Sequence, residues 1–392
     1  MPDKLLSRPF ALASLATFTH GMAFALFIHF PGFLEGLGAT EAVIGLIVGF
    51  AAIASILVRP WVGRVMDQRG RRPLILMGNS LNVVALLAYL TVVQIDGWVY
   101  VIRVVHGLSE AVLFTVLFTF AADWVPAEKR TQGLALFGVF GMLPIALAGV
   151  LGDVILNRSD FDALFITAAG FAVVSLVLSL FLHDAPHLAE QPPARGFLES
   201  ITGVHLLPLW WITFVFSFVL TAYFTFLKTF VDETGIGSVG LFFAFYAGTA
   251  IVLRLTLGWV PDRVGPKRAL WPAMLFLAAG LVVLAYASTD AAVALAGVLC
   301  GTGHGYSFPI LYALTITRAR VAERGAAMAV YTGLFDVGTL IGGPLLGLTI
   351  RWFSYQAMFL SAAGFVVVGL GLFAVWDRSA LEPAGDQVSS RQ

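Results

Sequence analysis

Arg103, His106 and Glu110 are the only basic or acidic residues in an apolar run from 98 to 120. Spacings of three and seven put all three on one face of a helix. An ionisable group inside a membrane-crossing helix is costly and marks a functional site by default. A carboxyl enclosed by apolar side chains, with an arginine and a histidine in reach, takes up or releases a proton as its neighbours change. That is the chemistry of a proton carrier, and Glu110, near the middle of the run, is the candidate. The competing reading is an ion-pair network that only packs helices together.

Other charged or ring-bearing residues also stand inside apolar runs. His20 shares a helical face with Phe24 and Phe27. His304 lies in GTGHGYSFP, where the glycines and Pro309 make a helix deformable. Arg59 and Arg254 each precede an aspartate by two turns, and Asp336 sits in the middle of a late run. Tyr223, Phe224 and Lys228 belong to the stretch ending in KTFVDE; aromatics there would stack on a substrate or serve as packing.

The elements that position these residues follow from composition. The chain of 392 residues is 59% hydrophobic and 12% charged, about half the charged share of an average soluble domain. Twelve apolar runs are long enough to cross ~30 Å of hydrocarbon as helices. They cover 9–32, 41–64, 73–94, 98–120, 131–155, 162–182, 204–230, 239–260, 268–287, 291–316, 325–350 and 355–376. None alternates as barrel strands do, and the first is too long for a cleaved signal peptide. An all-α membrane protein is expected.

Seventeen Lys and Arg fall in the loops and termini on one side and two, Arg158 and Arg351, on the other. This bias places both termini in the cytoplasm and explains the basic loops without nucleic acid. Cys300 stands alone, which excludes an internal disulfide and a thiolate metal site. No G-x4-GK[ST] motif for a nucleotide phosphate is present.

The runs form two sets of six. Arg59, Gly63, Asp67, Gly70 and Arg72 recur as Arg254, Gly258, Asp262, Gly265 and Lys267 at a constant offset of 195. PAEKR at 126–130 and VAER at 321–324 precede equivalent runs, and His106-Gly107 is echoed by His304-Gly305. The expected division is a first bundle at 1–183, a linker at 184–200, a second bundle at 201–378 and a disordered tail at 379–392. Gly63 allows close helix approach. Asp67, one turn on, can accept from a neighbouring helix N-terminus, and Arg71 and Arg72 can reach the same carboxylate. Such a cluster would latch the two halves.

Gly63-x3-Asp67-x2-Gly70-Arg71-Arg72 resembles the signature between spans two and three of the major facilitator superfamily. Its second copy, Arg103-x3-Gly107 and the six-plus-six plan agree with that family over nearly the whole chain. The resemblance implies a secondary transporter working by alternating access, with spans one, four, seven and ten around a central cavity. It implies a gating role for Gly63, Asp67, Gly70, Arg71, Arg72, Gly258, Asp262, Gly265 and Lys267. His20, Phe24, Arg59, Tyr223, Arg254 and His304 become cavity candidates, and Glu110, Arg103, His106 and Asp336 proton-coupling candidates.

The resemblance also makes spans two and eleven neighbours, so Asp336 is the expected partner of Arg59. Position 141, the repeat equivalent of Asp336, is glycine. Arg254 therefore has no matching acid, which points either to an anionic substrate group or to snorkelling toward headgroups. Exporters of this family often carry a GP pair in span five. Here that span reads GVFGMLPIALAGVLG, and the closer match, GTLIGGPLLG, is in span eleven. The segments look most like a branch exporting sugars, drugs or metallophore-like chelators. Proton-coupled efflux from a bacterial inner membrane by a monomer is expected, with a small-molecule substrate, protons and lipid as partners and no cofactor or metal. The alternative is a proton-coupled uptake symporter for an organic anion or sugar. No nucleophile–base pair supports an enzyme, and no extended loop supports a receptor.

Overall fold

A computed structural model describes residues 7–125, 130–184, 203, 205–320 and 324–377. Its long helices define spans one to twelve. Span one runs Arg8–Leu26 and continues through a 3-10 turn, Phe27–His29, into Phe30–Gly36. Spans two to six are Glu41–Arg69, Arg72–Ala88, Gly97–Asp123, Arg130–Arg158 and Phe161–Leu180. Spans seven and eight are Leu207–Thr234 and Val239–Leu257, with a short helix, Val260–Val264, after the latter. Spans nine to twelve are Pro266–Ala285, Asp290–Arg318, Arg324–Trp352 and Tyr355–Trp376. Helix starts are fixed locally. Ser7, Asp96, Asp160, Ser238, Thr289 and Ser354 each accept a first-turn backbone N–H as N-cap.

Eleven of these helices are long and apolar enough to cross a membrane; span ten is the exception. Its Gly301–Pro309 stretch carries Thr302, His304 and Ser307 among three glycines, which dilutes the hydropathy. The helix forms because it packs between spans eight and nine, so protein replaces lipid around its polar groups.

The halves are built alike. Span one packs on five and six as seven packs on eleven and twelve; two packs on four as eight packs on ten; three packs on four and six as nine packs on ten and twelve. The halves meet along two seams, two against eleven and five against eight. Close approach is what small residues provide where lipid supplies no hydrophobic drive. On the first seam, a Cβ added to Gly45 would lie 2.0 Å from the Gly343 carbonyl oxygen.

The motif expected between spans two and three is largely helical. Span two continues to Arg69, and only Gly70 and Arg71 turn the chain. The second copy breaks earlier, since span eight stops at Leu257. The reason lies at Pro261, which stands where the first copy has Met66: without an N–H, it cannot donate to the carbonyl four residues back. The copies agree at the last glycine, where φ is 82° at Gly70 and 99° at Gly265, a region that favours glycine. The surroundings of Gly63 and the Asp67 side chain lie outside what is described, as do residues 185–200 of the linker and the tail.

Candidate functional site

Glu110 links spans one and four near the middle of the first half. Its Oε2 is 3.3 Å from His20 Nε2 of span one, and its Oε1 is 3.5 Å from His106 Nε2 of span four. The chain extends both ways. Asn82 Nδ2 of span three lies 3.4 Å from His20 Nδ1, and Tyr89 Oη lies 3.2 Å from His106 Nδ1. Arg103 Nη1 donates to Tyr89 Oη at 3.4 Å. Arg103, Tyr89, His106, Glu110, His20 and Asn82 thus form one buried polar string across spans one, three and four. Phe27 stands edge-on to His106, its ring centroid 4.7 Å away.

This corrects one expectation. Arg103 is not the partner of Glu110, from which it stands two turns away on the same helix, a rise of about 10 Å. Its guanidinium donates to the Ile47 and Val48 carbonyls of span two at 3.3 and 3.2 Å and lies over the Phe30 ring. Histidines hold the carboxylate. Phe24 departs from the face it shares with His20 in sequence: it is half-exposed while His20 is buried.

The second half has a tyrosine–histidine string of its own, at other positions of the repeat and without an acid. Tyr223 Oη of span seven donates to Tyr246 Oη of span eight at 3.4 Å, and Tyr246 Oη meets His304 Nδ1 of span ten. Phe216 and Phe308 pack against the His304 ring. Tyr223 is fully buried in a cluster with Phe224, Phe242, Phe243 and Tyr246. Its ring therefore serves as packing rather than lining a cavity. Lys228, a turn further along, pairs with Asp232 at 2.5 Å.

The seams hold the remaining charges. Arg59 Nε and Nη2 each lie 2.8 Å from Asp336 Oδ2, and Arg59 Nη1 donates to Thr115 Oγ1 at 3.1 Å. That ion pair joins the halves across spans two and eleven. Arg254 donates from Nε to the Gly305 carbonyl at 3.4 Å. On the other seam Asp153 of span five bridges the halves, accepting from Gly240 N at 2.6 Å and lying 3.1 Å from His29 Nε2.

At the basic end, the motif residues turn to acids of their own half. Arg71 Nε pairs with Asp123 Oδ2 at 2.9 Å. The backbone N–H groups of Arg71 and Arg72 donate to Asp184 Oδ1 at 3.0 and 2.9 Å. In the second half, Arg318 makes two 2.8 Å bonds to Asp377, and Lys267 Nζ lies 3.1 Å from its Oδ2. Burial opposes the charge on Asp377, but the bonds from Arg318 and Lys267 outweigh it and hold the carboxyl below its usual range. Asp262 is exposed and makes no ion pair among the described residues. The arginine and lysine bonds seen here tie spans within a half, where a latch between halves was expected.

Sequence reasoning missed Tyr89, Asn82, Tyr246, His29, Asp153, Asp123 and Asp184. Asn82 carried a signal, an amide in an otherwise apolar run. The tyrosines carried none, being ordinary residues of apolar helices.

The model for the Major Facilitator Superfamily matches residues 12–335 and 209–390. The chain belongs to that family. It is accordingly a secondary transporter of small molecules and a multi-pass membrane protein. It is 23% identical over 377 residues to the staphylopine export protein of Staphylococcus aureus, covering 91% of this chain and 92% of that one. An MFS-type transporter of Pseudomonas aeruginosa is 25% identical over 368 residues, at 90% and 89% coverage. Among solved structures, an auto-inhibited peptide transporter of the POT family superposes with a TM-score of 0.78 at 10% identity, covering 97% of this chain and 98% of that one. At that identity the likeness concerns the fold.

Proposed function

We propose that this transporter exports a small metabolite in exchange for protons, with Glu110 as the proton-carrying group. One observation carries the reading: a carboxylate in the middle of a membrane-spanning bundle lies beside two histidines from different spans, with no arginine or lysine in contact among the described residues. A permanent cation beside it would hold the carboxylate charged throughout the cycle. Histidines can themselves gain or lose a proton, so the net charge of the group can change as spans one and four shift. Of the arginine and histidine that the sequence put in reach of Glu110, the histidine, His106, takes the role, joined by His20. Asp336, locked to Arg59, serves the seam between the halves. The export direction rests on likeness to the staphylopine export protein along nearly the full length. The basic loops support cytoplasmic termini, and the bacterial relatives support an inner-membrane location.

The test uses proteoliposomes containing a pH-sensitive dye. A substrate is first found as a compound that raises the melting temperature of the purified protein. Exchange requires that substrate leaving the lumen carry protons inward, so the lumen acidifies. Protons leaving together with substrate would establish symport instead. Unchanged substrate-driven proton movement in Glu110→Gln would remove Glu110 from the role.

A further inference from the structure

The two seams between the halves follow one plan and are finished differently. An offset of 195 carries Arg59 to Arg254, Gly138 to Gly333 and Gly141 to Asp336. Where spans two and eleven meet, the Asp336 carboxylate fills the space against Arg59. Where spans five and eight meet, a Cβ built on Gly141 meets nothing within 4 Å, and one on Gly138 meets only Arg254 Nη1, at 3.7 Å. The Arg254 guanidinium has its single bond through Nε to the Gly305 carbonyl. Among the described residues, neither of its terminal nitrogens has a hydrogen-bond partner, and no carboxylate lies within salt-bridge reach of it.

Helical phase shows which way this space faces. On span five, Pro144 lies against Gly21 of span one, while Gly149 and Asp153 lie against Gly240 of span eight. At 100° per residue, Gly141 falls on the arc between those two contacts. Leu147, Val150 and Val154, each 40–44% exposed, occupy the opposite arc, where lipid lies. The space opposite Arg254 therefore opens toward the centre of the protein.

We propose that the space between Gly141 and Arg254 receives a carboxylate or similar oxyanion of the transported solute. The solute would supply to Arg254 what Asp336 supplies to Arg59. A guanidinium stays charged under all ordinary conditions, and leaving it enclosed without an anion is costly. Its planar fork of donors matches an oxyanion with two bonds. A lipid phosphate offers the same chemistry, but it would arrive from the arc of Leu147 and Val150 rather than from the side that Gly141 faces. The assignment rests on the chain being a transporter, as argued above, and is independent of which way solute and protons move.

Thermal unfolding of the purified full-length protein in non-ionic detergent tests it, without any gradient. The probes are benzoate, citrate and gluconate, each beside its neutral amide. At least one carboxylate should raise the melting temperature of the parent by several degrees and that of Arg254→Met by none, while amides affect both alike. Gly141→Asp, which installs the missing acid, should raise the melting temperature without ligand and abolish the carboxylate shift. Gly141→Asn controls for bulk and should keep part of the shift, and Arg254→Lys should keep at least half. If Gly141→Asp does not fold, the two Arg254 variants decide. The assay has no gradient and leaves Glu110 in place, so a failure of proton coupling would leave this result standing. The proposal is overturned if no carboxylate stabilises the parent more than Arg254→Met. It is equally overturned if Gly141→Asp retains the full shift, or if only phosphatidylglycerol gives an Arg254-dependent shift.

Discussion

In the first half, Tyr89 leads through His106 to a carboxylate at Glu110, and a second histidine closes the string from span one. In the second half, Tyr246 leads through His304 and ends among phenylalanines. The seams also differ: Arg59 is matched by Asp336, while the position matching Asp336 on the other seam is glycine, Gly141. Two bundles of one architecture thus hold unlike charge. A repeat fixes the architecture, and the side chains placed within each half decide whether a site carries a proton, an internal ion pair or a cation awaiting an anion. Alternating access needs the shared architecture to rock and the unlike sites to give the motion a cargo.

The comparison can be broken at its strongest point. Glu110→Gln should abolish proton movement driven by substrate while leaving binding intact, and His304→Asn should reduce transport far less. Luminal pH in proteoliposomes reads both. Equal losses would mean that the halves share the coupling role.

The seam pair gives the next largest effect. Asp336→Asn leaves Arg59 enclosed without its anion and should cost about 3 kcal/mol of stability, read by thermal unfolding. The charge swap of Arg59 and Asp336 should recover more than half of that loss. Arg254→Met, which removes a cation with no acid, should be neutral or stabilising. A loss at Arg254 as large as at Asp336 would erase the contrast between the seams.

The turn glycines sharpen the comparison. Gly70 has φ 82° and ψ −178°, a region that other residues occupy at a cost of about 1–3 kcal/mol. A Cβ there would also strike the Asp184 carboxylate, whereas at Gly265, with φ 99°, it meets nothing within 4 Å. Gly70→Ala should therefore be the more destabilising of the two, again by thermal unfolding.

At the basic end, Asp377→Asn should cost about 2 kcal/mol at pH 7, the scale of hydrogen bonds to a charged group. Its carboxyl is held below the usual range when folded. The stabilisation is therefore complete above the unfolded value near 4 and fades as pH falls through the lower, folded one. The gap in melting temperature between parent and variant should narrow from pH 5 to pH 3. Asp262→Asn, at an exposed residue, should change stability by under about 0.5 kcal/mol. It should also impair transport less than Asp67→Asn.

Hydropathy, loop charge and the 195-residue repeat determined the twelve spans and the two halves without any coordinates, and the residues of the repeated motif carried the resemblance to the family. The physical reason is that lipid leaves a chain few options: every backbone polar group must be bonded within its own helix, so length and apolarity translate directly into architecture. The Arg59–Asp336 pair was expected through the family resemblance and is present, but the partners of the other buried charges were not legible. Glu110, Arg103 and His106 share a helical face in sequence, yet the carboxylate takes a histidine from span one and the arginine takes carbonyls from span two. Periodicity says which face a side chain occupies and nothing about what stands opposite. That the space beside Gly141 is open, and faces inward, depended on how span five is rotated against spans one and eight, which only the packed bundle decides.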